Sequence, residues 1–322
     1  MRKRFLIVVF ILVCTGLMAQ EKANYRTAAD AFMKHFNEME FDSIYAMFDG
    51  PMKTALPQDK ANAFLKELNT NLGAMKSMEF LKFQNVAHIY KTTFDQGLRD
   101  VLIYLNANNE IGGLYVSMHK PADLPKLERN TTKMIWPFSV ETFVFWGGET
   151  VAQNYHMAQE VQQYAYDILM VKDGASYTGD SKKNENYFVF GQDILAPCDA
   201  KVVKITKGVY DNVPGEMNQK QLLGNSIVLE TAKKEYLLFA HLKQGSLLVE
   251  EGEQVKQGQV IAQCGNSGNS TEAHLHLQLQ NVADFFQGTG AKLYFDNILV
   301  NGTLKSDYIP VKEDFVKNSD KK

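Results

Sequence analysis

The stretch that most constrains this chain is Ala273-His274-Leu275-His276-Leu277-Gln278-Leu279-Gln280, which follows Gly265-Asn266-Ser267-Gly268-Asn269-Ser270-Thr271. Side chains alternate between the two faces of a β-strand. His274, His276, Gln278 and Gln280 therefore share one face, with Leu275, Leu277 and Leu279 packed behind them. Two imidazoles side by side on an apolar backing form a rigid polar platform. It suits one metal ligand next to one catalytic base. The glycine-rich run before it reads first as a turn and second as a wall of a substrate groove.

The chain has 322 residues, which favours two domains. Its 45% hydrophobic and 22% charged content is ordinary for globular proteins and sufficient for two cores. Residues 1–20 read as a signal peptide: Arg2, Lys3 and Arg4, then an apolar run, then a small-residue exit. The run is shorter than the ~20 residues of a spanning helix, so no stable membrane insertion is expected after cleavage. Removing three basic residues and no acids moves the formal charge from −3 to −6. A mildly acidic, exported chain is a poor nucleic-acid binder. Two cysteines remain, Cys198 and Cys264, either paired in an oxidising compartment or buried as two small thiols.

Residues 21–118 predict an α+β accessory domain. Ala29, Phe32, Met33 and Phe36, then Phe41, Ile44, Tyr45 and Phe48, then Ala61, Phe64, Leu65, Leu68 and Leu72 recur at helical spacing. Strand patterns follow at 78–83, 87–94, 101–105 and 111–116. Helices followed by consecutive strands suggest helices covering one face of a curved antiparallel sheet. This order resembles the cone-shaped domains of the nuclear-transport-factor/cystatin-like group, a likeness that says little about function. His35, His88 and His119 lie here without an evident chemical partner. Residues 119–148 read as a linker and first strands, because Pro121, Pro125 and a Thr-rich stretch precede the aromatic runs around Trp136 and Trp146. Residues 149–310 are mainly β, with clear strands near 194–205, 226–230, 236–241, 260–263 and 274–280. Residues 311–322 read as a flexible tail.

The second half resembles the lysostaphin/LytM-type zinc endopeptidases, which cut peptide bonds in bacterial peptidoglycan. The resemblance rests on Ile194-Leu195-Ala196-Pro197, Gly224-Asn225-Ser226-Ile227-Val228-Leu229, Phe239-Ala240-His241-Leu242, Val255-Lys256-Gln257-Gly258-Gln259-Val260-Ile261 and the 265–276 block. It implies an antiparallel sheet or sandwich of the LytM type, and one Zn²⁺ per chain. His276 would be a metal ligand, and His241 and His274 catalytic residues flanking the reacting water. The family's early ligands commonly come as His-x-Gly-x-Asp just before Ala-Pro. Here Asp193 fits, but the histidine position is Val189, which cannot ligate zinc. A second alignment takes His156 and Asp167 as the ligands, with the polar stretch 172–190 as an inserted loop, and is preferred over Asp193.

The expectation is an exported zinc metalloendopeptidase, periplasmic or at the cell surface, acting on peptidoglycan peptides. The alternative is a catalytically silent LytM-type domain that binds cell wall or regulates a partner hydrolase. A biotinyl/lipoyl-type carrier would need an attachment lysine on the hairpin, where this chain runs on to His-x-His.

Overall fold

The computed structural model describes residues 20–121 and 123–320; the expected signal peptide, apart from Gln20, lies outside them. Among the described residues no helix is long and apolar enough to cross a membrane. The chain forms two compact units that divide between Lys120 and Pro121.

In the first unit, helices α1 (Ala23–Asn37), α2 (Phe41–Ala46), α3 (Gly50–Ala55) and α4 (Gln58–Leu72) precede strands β1 (Met75–Gln84), β2 (Ala87–Phe94), β3 (Gly97–Leu105) and β4 (Ile111–Met118). The strands pair in chain order as an antiparallel meander. Ala29, Phe32 and Phe36 of α1 and Ala61 and Leu65 of α4 are fully buried against Tyr90, Val101 and Ile103 of the sheet. The expected α+β architecture is present, although Phe64, read as part of the apolar stripe of α4, is 40% exposed.

The second unit is mainly β. Its strands are β5 (Thr142–Trp146), β6 (Tyr166–Leu169), β7 (Asp193–Leu195), β8 (Ala200–Thr206), β9 (Asn225–Glu230), β10 (Tyr236–Leu242), β11 (Gln254–Val255), β12 (Val260–Gln263), β13 (Leu275–Gln280), β14 (Gly290–Ala291), β15 (Ile298–Val300), β16 (Thr303–Lys305) and β17 (Phe315–Asn318). The main sheet runs β11-β8-β9-β10-β13-β6-β5-β17-β15-β16, with β14 beside β13, while β12 and β7 form a separate pair. The single strand expected over 194–205 is interrupted at Ala196-Pro197, since proline offers no N–H to a ladder. Strand β13 is buried on both faces, with its leucines in the core and its polar face turned to the site.

Two stretches differ from the sequence expectation. Residues 121–148, expected to hold a linker, belong to the second unit, and Met134, Trp136 and Phe138 are fully buried in its core. The Trp136 indole donates to Thr142 Oγ1 at 2.7 Å, and its ring meets Phe295 edge-on at 4.8 Å. Residues 311–322, expected as a flexible tail, contain β17, which pairs with both β15 and β5 and buries Val316 completely. Four residues with a single apolar anchor give too short a pattern to read in isolation. Trp136→Ala should destabilise the second unit by about 3–5 kcal/mol, measured as its denaturant midpoint. Retention of the wild-type midpoint would show that the aromatic stretch only covers the surface.

Candidate metal centre

Strand β13 lies between β6 and β10, with His276 directly opposite Asp167 on one side and Ala240 on the other. Residues opposite each other across strands share a face, so the carboxylate and the imidazole meet without any special loop. His276 Nδ1 is 3.1 Å from Asp167 Oδ1. His156 reaches the same carboxylate from a short 3-10 turn, Tyr155–Ala158, with its Nε2 3.6 Å from Oδ2. His274, just ahead of β13, brings its Nε2 to 3.6 Å from Oδ1.

His241 would not face the site in a regular strand, because Ala240 already takes the position opposite His276. Between Phe239 and Leu242 the β9–β10 register slips, so that two residues of β10 oppose Ser226 alone, and His241 has φ +61°. Such a bulge re-aims one side chain at a cost in backbone strain. Here it turns the ring to 4.8 Å from that of His274. The glycine-rich run supplies the brace. Gly224 (φ +60°) and Gly268 (φ +82°) pack backbone to backbone, and a Cβ on Gly224 would lie 2.4 Å from the Ser267 carbonyl oxygen. That close approach lets the Ser267 carbonyl accept a hydrogen bond from His241 Nδ1 at 2.8 Å.

The outward nitrogens determine the tautomers. A carbonyl can only accept, so His241 Nδ1 and His274 Nδ1, which face the carbonyls of Ser267 and Glu272 at 2.8 Å, carry the protons. Asn154 does the same for His156. Its Nδ2 donates to the Ala165 carbonyl at 2.8 Å, so its Oδ1 faces His156 Nδ1 at 2.9 Å and accepts. Three imidazoles therefore turn an unprotonated Nε2 inward. His156, Asp167, His241 and His276 are all buried.

Lone pairs facing a carboxylate with no proton between them describe a site that needs a cation. One atom each from His156, Asp167 and His276 lies within 4.8 Å of the others. Bonds of about 2.0–2.2 Å would set the ligand atoms of a tetrahedral zinc about 3.3 Å apart; His276 Nδ1 stands 3.1 Å from one Asp167 oxygen and His156 Nε2 3.6 Å from the other. Two imidazoles with one carboxylate, braced by outer hydrogen bonds, form a donor set that fits zinc. A second grouping, His35, Glu38 and Glu40, is partly or fully exposed. There His35 Nδ1 is already bonded to Glu40 at 2.7 Å.

Burial lowers the pKa of His156 to about 4 and, together with the neighbouring His274 and His276, holds His241 well below 6.5. Burial opposes ionisation of Asp167, but in acid, where the imidazoles around it take up protons, their charge outweighs that and holds its carboxyl well below the usual range. The folded, metal-free unit thus binds fewer protons than its unfolded chain in mildly acid solution. Its stability should be full above pH 6.5 and fall as the pH drops toward about 4. Thermal midpoints of metal-stripped protein measure this, and a midpoint that rises on acidification through that window would contradict it.

All five residues singled out as ligands or catalytic groups converge here. Asp193, the alternative carboxylate, is exposed on β7 and bonded to Gln263 Nε2 at 3.2 Å, and Val189 is a core residue. Cys198 and Cys264 are separate buried thiols, and burial pushes Cys198 up to about 12. His119 is bonded to Asp100 at 2.7 Å, and His88 is stacked on Tyr25 at 3.6 Å. Of the residues that brace the imidazoles, Asn154 had no role in the sequence reading, and Ser267 was read only as part of a turn or groove wall. The only hint of the first was that it stands two residues before His156. The site opens into a cleft of about 260 Å³ walled by Phe145, Trp146, Tyr155, Met217, Leu222 and Phe285.

Residues 187–287 match the family model of peptidase family M23, and residues 29–114 match a family described as a protein of unknown function, DUF3887. The M23 match includes His241, His274 and His276 but begins after His156 and Asp167. No curated protein matches the chain. Among solved structures, the catalytic domain of the antimicrobial peptidase lysostaphin from Staphylococcus simulans is 22% identical, with 46% of this chain and 86% of that one covered and a TM-score of 0.28. A zinc-containing peptidase from Vibrio cholerae is 15% identical, covering 66% and 83%, with a TM-score of 0.26. The SpoIIQ–SpoIIIAH pore-forming complex contains a chain 23% identical, with a TM-score of 0.26; 39% of this chain covers 58% of that one's length. Within the second unit, residues 187–287 are therefore similar to peptidase family M23.

Proposed function

We propose that this protein is an exported zinc endopeptidase that hydrolyses peptide bonds in bacterial peptidoglycan. The observation that carries the reading is the convergence of inward imidazole lone pairs on the single carboxylate of Asp167, at the floor of an open cleft. His156 Nε2, an Asp167 oxygen and His276 Nδ1 would hold the ion, and their single negative charge leaves the centre a net positive charge. When bound, zinc lowers the pKa of water toward ~7 and polarises the scissile carbonyl. His241 and His274 each keep an unprotonated Nε2 at the site. One takes the proton of the attacking water and passes it to the leaving amine. The other, once protonated, donates to the developing oxyanion. The Ser267 and Glu272 carbonyls hold both rings with Nε2 free, the form the base requires, while the oxyanion partner donates only as an imidazolium that has taken its second proton from solvent. Apolar and aromatic cleft walls shield the reacting groups from bulk water.

Purified full-length protein incubated with peptidoglycan should release new peptide termini, detectable by mass spectrometry. A chelator should stop the release and zinc should restore it. Stoichiometric zinc uptake with intact wall peptides would instead favour the catalytically silent, wall-binding alternative.

A further inference from the structure

The polar face of β13 continues past His276 with Gln278 and Gln280, both 0% exposed. A buried amide left unpaired is destabilising, so two in succession on one core strand need a reason. Gln280 Nε2 donates to the Val282 carbonyl at 2.7 Å, which turns its Oε1 back along the strand. Gln278 Nε2 donates to that Oε1 at 2.8 Å and to the Val161 carbonyl at 3.0 Å. The orientation of Gln278 is thereby set as well, and its Oε1 faces His276 Nε2 at 3.0 Å. An amide oxygen only accepts, so Nε2 carries the proton and Nδ1 turns its lone pair toward Asp167.

We propose that Gln278 and Gln280 are positioning residues for metal binding: a one-way hydrogen-bond relay, anchored on the Val161 and Val282 carbonyls, holds His276 in the Nε2–H tautomer. Each bond in such a chain polarises the next. Val161 lies in the Glu160–Gln162 turn, between His156 and Asp167 in the chain. Gln278 therefore also ties the third ligand's strand to the segment joining the other two. The proposal rests on the metal reading above, and the two can fail separately.

Histidine nitrogen NMR of the full-length, metal-free protein, at a pH where the imidazole is neutral, reads the tautomer directly. Competitive zinc titration reads its consequence. Wild type should show His276 as Nε2–H. Gln278→Leu should lose that preference and bind zinc about 10–100-fold more weakly, and Gln280→Leu should weaken binding less. Gln278→Glu presents an acceptor to Nε2–H whichever way it turns, while losing the donations to both Val161 and Gln280, so it should hold zinc nearly as well as wild type. An Nδ1–H tautomer in wild type, unchanged zinc affinity in Gln278→Leu, or equal losses in the Leu and Glu variants would overturn the relay. A wild type with the expected tautomer that takes up no zinc would overturn the metal reading instead.

Discussion

Asp167→Asn should strip the protein of bound zinc and reduce peptidoglycan cleavage by more than about 10³-fold, while leaving the second unit folded. The carboxylate is the only anion among the three proposed ligands, and it faces both of the others, His276 at 3.1 Å and His156 at 3.6 Å, as well as His274 at 3.6 Å. An asparagine amide is neutral and can donate to the lone pairs that the carboxylate can only oppose. The metal-free variant should therefore unfold no earlier than metal-free wild type, since it exchanges a buried charge for satisfied hydrogen bonds. Metal analysis paired with thermal unfolding of both stripped proteins checks the two halves of this result. A variant that keeps stoichiometric zinc and near-normal turnover would show that Asp167 is not a ligand.

His241→Ala and His274→Ala should behave differently. Neither belongs to the proposed ligand set, so both variants should hold zinc near wild-type affinity. Turnover should fall by about 10²–10⁴-fold, the usual contribution of a positioned proton-transfer group. His241 has the clearer structural signature, because its left-handed backbone and the register slip in β10 turn its ring toward that of His274. Strain kept at one residue is commonly found where a side chain is used. Steady-state rates at matched zinc occupancy measure the effect. Rates within about tenfold of wild type for both variants would remove the proton-transfer role assigned to these imidazoles.

What the sequence revealed, and what it hid, follows from the range of each interaction. The polar and leucine faces of β13 could be read directly, because strand alternation is local and strict. The helices-then-strands order of the first unit was legible for the same reason. His156 and Asp167 could be reached only by setting aside the usual spacing, since the proposed ligands lie 11 and 109 residues apart along the chain. Once β6 pairs with β13 they become neighbours, and that pairing has no local signal. The braces were invisible. Asn154, the Ser267 carbonyl and the amides of Gln278 and Gln280 act through hydrogen bonds whose direction depends on where backbone carbonyls fall. The core role of Trp136 and the pairing of β17 were missed because prolines, or the brevity of the segment, obscured the apolar pattern.

The most direct test is anomalous diffraction at the zinc edge from crystals of the full-length protein grown with zinc. One strong peak is expected in the second unit, about 2.0–2.3 Å from His156 Nε2, an Asp167 oxygen and His276 Nδ1, with His241 and His274 close by but unligated. An empty centre under those conditions, or a zinc held by Asp193 or the His35 grouping in its place, would contradict it.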